Sequence, residues 1–195
     1  QGTIDGCMYA MENGVAMNIA GGTHHAFKNR GEGFCMLNDQ AIASNYLLNN
    51  NLAKKILIID LDVHQGNGTA KLFEHEPNVF TFSMHGKNNY PFHKEKSDLD
   101  VELLDGTNDE IYLQLLRDTL PALIEKVQPD MAFYLAGVDI LETDKFGKLK
   151  VTMNGCKQRD EFVFTQLKQN NIPCQTSMGG GYSADVKIIT DAHCN

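Results

Sequence analysis

Two aspartates and a histidine alternate with other residues at the end of an apolar run. Asp60, Asp62 and His64 directly follow the run 56–59. Carboxylates are costly to remove from water unless they are paired or bind a metal. Side chains two residues apart on an extended segment point the same way, so Asp62 and His64 can reach one ion. Asp139 would complete a set of three protein ligands with an open fourth position, which is typical of catalytic zinc sites.

Polar side chains of similar kinds follow other apolar runs of the chain. The runs 15–20, 79–84, 131–136 and 172–178 are followed by His24 and His25, His85, Asp139, and Tyr182. Taken alone, each of these residues would more often belong to a turn, a helix cap or a satisfied core. Because they occur at the ends of successive apolar runs, they predict a single polar site.

The residue types indicate which chemistry such a site could perform. Zinc polarises a carbonyl group and lowers the pKa of its water ligand to about 7. His24 and His25 can supply a general base and a general acid. Tyr182, which follows three glycines, can donate its hydroxyl to a developing oxyanion. Together these residues predict metal-assisted hydrolysis of an amide.

The apolar runs also predict the scaffold that positions these residues. They are short and apolar rather than alternating, which is typical of parallel strands buried on both faces. The predicted strands span 15–20, 56–61, 79–84, 131–136 and 172–178. Helical patterns cover 36–48, 109–127 and 156–169, and Pro121 should kink or split the second of them. This alternation predicts an α/β fold with a mostly parallel sheet, in which ligands bind beyond the carboxyl ends of the strands.

Composition narrows the class of protein. The chain has 195 residues, 42% of them hydrophobic, and a net charge of −8, which argues against direct binding of nucleic acid. No apolar run approaches the length of a membrane span. The five cysteines include no C-x-x-C pair and are expected to be reduced, buried thiols. Since no leader-like segment opens the chain, we expect a cytoplasmic protein, or a nuclear one in a eukaryote, of unknown oligomeric state.

Six segments resemble the motifs of one family in order and spacing. They are GGTHHAF, RGEGFCMLND, DLDVHQGNG, VFTFSMH, AGVDIL and GGGY. In combination they resemble the zinc-dependent histone deacetylase family from residue 1 to about residue 189. The segments DLDVHQGNGTA, YLAGVDILETDKFGKL and RDEFVF are most similar to its class IV branch. The resemblance implies an arginase/deacetylase-like, three-layer α/β/α fold with a mostly parallel sheet, and one deacetylase catalytic domain over 1–195.

The resemblance also implies roles for the polar residues. Asp62, His64 and Asp139 match the zinc ligands of the family. His24 and His25 match its tandem histidines, with His25 as general base and acid and His24 as its electrostatic partner. The implied cofactor is therefore one catalytic zinc ion.

Further positions match the supporting parts of the family's site. Tyr182 matches the tyrosine that hydrogen-bonds the scissile carbonyl, and Asp60 matches the carboxylate behind His24. A structural potassium ion is implied as well, bound by Asp60, by Ser83, and by the backbone carbonyls of Asp62, His64 and Met84. The channel for the acyl-lysine substrate is matched by Phe34, Tyr90, Gly33, Gly180 and Gly181.

Two features depart from the usual family pattern. Asn67 stands behind His25 where many members have an aspartate, and an amide cannot raise the basicity of His25 as a carboxylate would. The class IV branch shares this asparagine. Family catalytic domains run to about 300 residues or more, beyond ordinary single-core sizes. We therefore expect this chain to lack an N-terminal part that supplies early strands and a rim loop, and to expose an apolar edge.

Four functions remain open at this point. The first is removal of acetyl or longer acyl groups from lysine side chains of proteins or peptides. The second is hydrolysis of a small acylated amine, such as an acetylated polyamine, by the same zinc chemistry. The third is an arginase-like enzyme with two manganese ions, which needs a carboxylate two residues after His64, where this chain has Gly66. The fourth is an inactive fragment that binds a partner or dimerises.

Overall fold

A six-stranded sheet forms the centre of the computed structural model, which describes residues 1–194. The strands are β1 (Val15–Asn18), β2 (Ile56–Asp60), β3 (Val79–Gly86), β4 (Leu99–Leu103), β5 (Met131–Leu135) and β6 (Cys174–Ser177). Within these residues the helices are α1 (Gly2–Asn13), α2 (Asp39–Asn49), α3 (Asn67–Phe73), α4 (Asp109–Val127), α5 (Met153–Gln169) and α6 (Val186–Cys194). All strand pairs are parallel, in the order β1-β6-β5-β2-β3-β4.

Helices cover both faces of the sheet, and β2 shows how. All five residues of this central strand are buried. Ile56 and Ile58 belong to an apolar cluster with side chains of α1 and α2, whereas Leu57 and Ile59 belong to a second cluster with α4 and α5. A strand covered on both faces has no polar side to expose, which explains its continuous apolar sequence. The predicted three-layer α/β/α fold is confirmed.

The two edges of the sheet differ in how well the sequence predicts them. The five predicted strands are present, but β4 was not expected, because its sequence LDVEL alternates and is only partly buried. β1, at the other edge, exposes 48% of Val15 and of Met17. None of the described helices is both long enough and apolar enough to cross a membrane.

Pro121 does not split the helix that contains it. α4 runs unbroken from Asp109 to Val127, so of the predicted kink or split the split does not occur. Proline removes the hydrogen bond to the carbonyl four residues earlier, which here belongs to Arg117. Pro121 and Arg117 are both exposed, so water can satisfy that carbonyl. The opposite face of α4 carries the buried leucines that hold the helix on the sheet.

Candidate active site

Neighbouring strands bring the predicted polar residues together beyond the carboxyl ends of the strands. β6, β5 and β2 lie side by side, and the segments after their carboxyl ends carry Gly180, Asp139 and Asp62. His24 and His25 come from the segment between β1 and α2. This is the end of the strands at which open α/β sheets bind their ligands.

Asp62, His64 and Asp139 converge as the sequence predicts. Each offers one ligand atom, and these atoms lie within 4.8 Å of one another. His64 Nδ1 is 3.1 Å from Asp62 Oδ1 and 3.1 Å from Asp139 Oδ2. The two carboxylates are 2% and 0% exposed. One imidazole and two carboxylates are oxygen and nitrogen donors of the kind that zinc accepts.

Backbone groups hold the two carboxylates in place. Asp139 Oδ1 accepts a hydrogen bond of 2.9 Å from the Val63 N–H. Asp62 accepts from the His64 N–H and the Gly180 N–H, each at 2.9 Å. A Cβ at Gly180 would collide with both carboxylates, so only glycine fits this approach. The donor set is thus oriented independently of any ion, and its chemistry and its glycine cradle fit a bound zinc.

Mutual contact shifts the protonation of these ligands. Burial disfavours the charged form of His64, but its contacts with Asp139 and Asp62 raise its pKa to about 10. Burial and the charge of Asp62 raise the pKa of Asp139 to about 7. The proton that His64 retains offsets part of the negative charge of the two buried carboxylates. A divalent cation compensates this charge better than a proton does.

His24 and His25 have different partners. His24 Nδ1 lies 2.7 Å from Asp60 Oδ2, whereas His25 Nδ1 lies 2.7 Å from Asn67 Oδ1. The two Nε2 atoms are 3.1 Å apart. Burial opposes a charge on His24, but Asp60 raises its pKa to about 9. Burial and the charge of His24 lower the pKa of His25 to about 3. The pair therefore combines a charged imidazole with a neutral one.

Tyr182 lies at the entrance to this site. Its backbone N–H donates to Asp144 Oδ2 at 2.6 Å, and its ring packs against Phe146 with centroids 5.1 Å apart. Burial and the charge of Asp62 raise the pKa of Tyr182 to about 12. The hydroxyl is therefore a hydrogen-bond donor at neutral pH.

An aromatic groove leads down to the histidines. Its volume is about 490 Å³, and it is lined by His25, Gly33, Phe34, His64, Asn88, Asn89, Tyr90, Phe92, Phe146, Lys148 and Tyr182. Tyr90 stands edge-on to His25, with ring centroids 5.0 Å apart. Phe34 is 91% exposed at the rim. The predicted channel residues Phe34, Tyr90 and Gly33 thus come together, and Gly180 lines a smaller cavity of about 130 Å³ at the metal ligands.

The remaining predicted positions lie near the site but in different surroundings. A Cβ at Gly181 would lie 2.7 Å from Val138 and 3.1 Å from Ile189, so this glycine faces the protein interior. Ser83 is paired with Asp60 across β2 and β3, and its hydroxyl contacts His85 Nδ1 at 2.9 Å. Met84, the next residue of β3, is fully buried.

A family model described as "Histone deacetylase domain" matches residues 1–194. This chain belongs to the histone deacetylase domain family.

Relatives and solved structures agree with this membership. An uncharacterized protein of Picosynechococcus is 46% identical over 98% of this chain and 64% of its own length. "Histone deacetylase 2" of Arabidopsis thaliana is 35% identical over 98% of this chain and 50% of its own length. The human "Histone deacetylase 1" is 32% identical over 87% of this chain and 36% of its own length. This histone deacetylase domain therefore spans about half the length of such relatives.

The fold itself has a solved counterpart. The crystal structure of the HDA15 HD domain superimposes with a TM-score of 0.81 at 24% identity, covering 98% of this chain and 59% of the other. At that identity the match supports the histone deacetylase fold rather than any particular residue role.

Two residues of this deacetylase domain contact the site although their sequence context did not single them out. Glu32 Oε1 accepts 2.8 Å hydrogen bonds from Asn67 Nδ2 and from the Tyr90 hydroxyl. Arg159, fully buried in α5, donates to the Gly137 carbonyl at 2.6 Å behind the metal ligands. Both residues lie inside segments that carried the family resemblance, RGEGFCMLND and RDEFVF. The residue types in these segments did not predict the contacts of Glu32 and Arg159.

Proposed function

We propose that the protein is a zinc-dependent lysine deacylase, which hydrolyses the amide between an acyl group and the side chain of a lysine in a protein or peptide. The observation that carries this proposal is the buried Asp62, His64 and Asp139 set lying beside His25 at the foot of an aromatic groove. Family membership supports the same reaction class. We expect acetyl groups and longer acyl chains to be the candidates for the group removed.

Asp62, His64 and Asp139 would hold the metal. Bound there, zinc would polarise the scissile carbonyl and make a water molecule more acidic. The described residues contain one donor cluster of this kind, which favours one metal ion over the two of an arginase-like enzyme. Gly66, two residues after His64, offers no carboxylate for a second ion.

The histidine pair would move the proton. His25, with Nδ1 bonded to Asn67, keeps an unprotonated Nε2 that can accept a proton from the attacking water. The same atom then delivers that proton to the departing lysine amine, which cannot leave as an anion. His24, kept charged by Asp60, supplies a fixed positive charge next to the developing negative charge.

The remaining parts would bind and orient the substrate. The Tyr182 hydroxyl would donate to the carbonyl oxygen as negative charge develops on it. Phe34 and Tyr90 would line the methylene chain of the lysine, which gains from leaving water. Potassium is proposed beneath the site at Asp60, Ser83 and the carbonyls of Asp62, His64 and Met84, where a cation would offset the buried negative charge.

The groove favours an acyl-lysine over a small acylated polyamine. Among the described residues that line it none is acidic, and Lys148 contributes a positive charge. A polyamine keeps at least one ammonium group, which would meet a like charge at Lys148 and no carboxylate among the lining side chains. An acylated lysine carries no charge on its side chain, so the same groove accepts it without penalty.

Turnover of defined substrates tests this proposal. Zinc-loaded protein should hydrolyse acetyl-lysine or myristoyl-lysine peptides, and it should act more slowly on acetylputrescine. His25→Ala should lower the rate on the order of 10²-fold or more, as loss of a general base does. A rate no higher than that of His25→Ala would exclude the deacylase. Failure to retain zinc, together with self-association on size-exclusion chromatography, would instead support a binding module.

A further inference from the structure

Glu32 joins the general-base histidine to the wall of the groove through hydrogen bonds. Its Oε1 accepts from Asn67 Nδ2 and from the Tyr90 hydroxyl, both at 2.8 Å, and its Oε2 accepts from Arg30 Nε at 3.1 Å. Burial acts to raise the pKa of this carboxyl, but the hydrogen bonds from Tyr90, Asn67 and Arg30 lower it overall. Glu32 is therefore an anion at neutral pH.

A tight turn presents Glu32 to this network. Glu32 and Cys35 exchange backbone hydrogen bonds of 3.0 and 2.8 Å across Gly33 and Phe34. Both central residues have positive φ, 52° at Gly33 and 65° at Phe34, as in a type I′ turn. A side chain at Gly33 would collide with the imidazole of His25. The turn is thus built against His25, with Phe34 outside at the rim and Glu32 inside.

The carboxylate decides which way the Asn67 amide points. A carboxylate only accepts hydrogen bonds, so the NH₂ group of Asn67 must face Glu32. The amide oxygen must then face His25 Nδ1, 2.7 Å away. An oxygen in that position requires a proton on Nδ1 and leaves Nε2 unprotonated, so that Nε2 can accept from the charged His24, whose Nε2 is 3.1 Å away. With the amide reversed, its NH₂ would donate to Nδ1 and favour a proton on Nε2, in opposition to the N–H of His24, and a proton on Nε2 disables the base.

We propose that Glu32 is a positioning residue, which acts through Asn67 to fix the tautomer in which His25 can serve as a base. In this proposal, only one of the two positions 32 and 67 can carry a carboxylate. The catalytic part of this inference rests on the proposed deacylase function. The pairing has a simple electrostatic basis. An aspartate in place of Asn67 would set two carboxylates 2.8 Å apart, an arrangement in which both cannot stay ionised at neutral pH.

A double-mutant cycle at these two positions tests the pairing. Asn67→Asp should lower kcat at least tenfold, because the introduced carboxylate and that of Glu32 repel each other. Glu32→Gln should lower kcat only a few-fold, since the introduced amide oxygen still accepts from Asn67. The double variant should recover to within a few-fold of the wild type, because the amide introduced by Glu32→Gln donates to the carboxylate introduced by Asn67→Asp. Lys28→Gln, which removes an exposed charge from the same loop, is the matched control and should stay near the wild-type rate. A double variant no better than Asn67→Asp would overturn the pairing.

The tautomer can be read without any turnover. In ¹⁵N-histidine NMR spectra of the zinc-loaded protein, with His25 assigned by comparison with His25→Ala, wild type should show His25 protonated at Nδ1. Glu32→Leu should shift part or all of that signal to the Nε2-protonated form, in protein whose circular dichroism spectrum shows that it is folded. The same tautomer in wild type and Glu32→Leu would overturn the proposal. Because this readout needs no substrate, it decides the role of Glu32 even if the deacylase assay fails.

Discussion

Asp139 uses both of its carboxylate oxygens. Oδ1 accepts from the Val63 N–H at 2.9 Å, which fixes the side chain, and Oδ2 lies 3.1 Å from His64 Nδ1, where a metal ligand is needed. Tyr182 also lines the small cavity but is not part of the donor cluster. These two residues therefore allow metal binding and catalysis to be separated by single substitutions.

Asp139→Ala should abolish zinc binding. Two remaining ligands hold the ion poorly, and ligand loss removes binding free energy directly. Zinc content measured after dialysis should fall from about one ion per chain, the number expected for one catalytic site, to near zero. Asp118→Ala, on the exposed face of α4, is a matched control that should keep the ion. Equal zinc content in Asp139→Ala and wild type would remove Asp139 from the ligand set.

Tyr182→Phe should keep zinc but lose activity. The ring and its contact with Phe146 remain, whereas the hydroxyl that would stabilise the oxyanion is gone. Loss of one such donor lowers kcat on the order of 10²-fold to 10³-fold. Steady-state kinetics on an acyl-lysine peptide, with zinc content measured in parallel, would check this. An unchanged kcat would exclude Tyr182 from the mechanism.

Sequence predicts the residues of this site better than their contacts. Asp62, His64 and Asp139 were found because each follows an apolar run, and parallel strands bring such ends together. Glu32 had no such signal, since its partner Asn67 is 35 positions away and on another element. The turn that delivers it depends on a positive φ at Phe34, which few non-glycine residues adopt. Contacts of this kind depend on loop conformations that the sequence pattern does not specify.

At the scale of elements, α5 braces the sheet edge that carries the metal ligands. Arg159 donates to the carbonyls of Gly137 at 2.6 Å and Ala136 at 3.3 Å, and it pairs with Asp160 at 2.8 Å. The Tyr134 hydroxyl donates to the same Asp160 carboxylate. The helix is therefore tied to the carboxyl end of β5, directly before Asp139. Removing a guanidinium from water is costly unless it is paired, and the hydrogen bonds to these carbonyls and to Asp160 offset that cost for the fully buried Arg159.

Arg159→Met should destabilise the protein and weaken zinc binding. It preserves much of the side-chain volume but leaves buried carbonyls unpaired, and breaking a buried charged network costs about 3–5 kcal/mol. Urea unfolding with and without a chelator would measure both effects. Lys157→Met, on the exposed face of α5, should change the free energy of unfolding by less than about 0.5 kcal/mol. Equal urea midpoints for Arg159→Met and Lys157→Met would contradict a stabilising role of Arg159.

At the scale of the whole molecule, the fold depends on pairings that the sequence order hides. β1 comes first among the strands, yet Val15 pairs with Cys174 of β6, the last strand. Burial in the centre of the sheet made β2, β3 and β5 easy to predict, since apolar residues continue through them. β4, α1, α3 and α6 were not predicted; β4 is only partly buried, and α3 and α6 are short helices of seven and nine residues. That residues 1–195 form one catalytic domain stays a prediction.

Thiol reactivity offers a test of the layered core. Cys7 belongs to the cluster under α1 and α2, whereas Cys156 and Cys174 belong to the cluster on the opposite face of the sheet. Burial raises the pKa of Cys7 and Cys174 to about 12 and that of Cys156 to about 11, which removes the reactive thiolate at pH 8. Cys194 is exposed.

Native protein at pH 8 should therefore show one thiol that reacts rapidly with Ellman's reagent, and all five cysteines should react in urea. Cys194→Ser should remove the rapid phase, whereas Cys7→Ser should leave it unchanged. Slow labelling of the buried thiols would then report opening of each layer, because burial, not the chemistry of each cysteine, protects them. Labelling of Cys7 as fast as that of Cys194 would mean that α1 does not stay packed on the sheet. Fast labelling of Cys174 would mean that the helices on the opposite face, which include α5, do not stay packed on it.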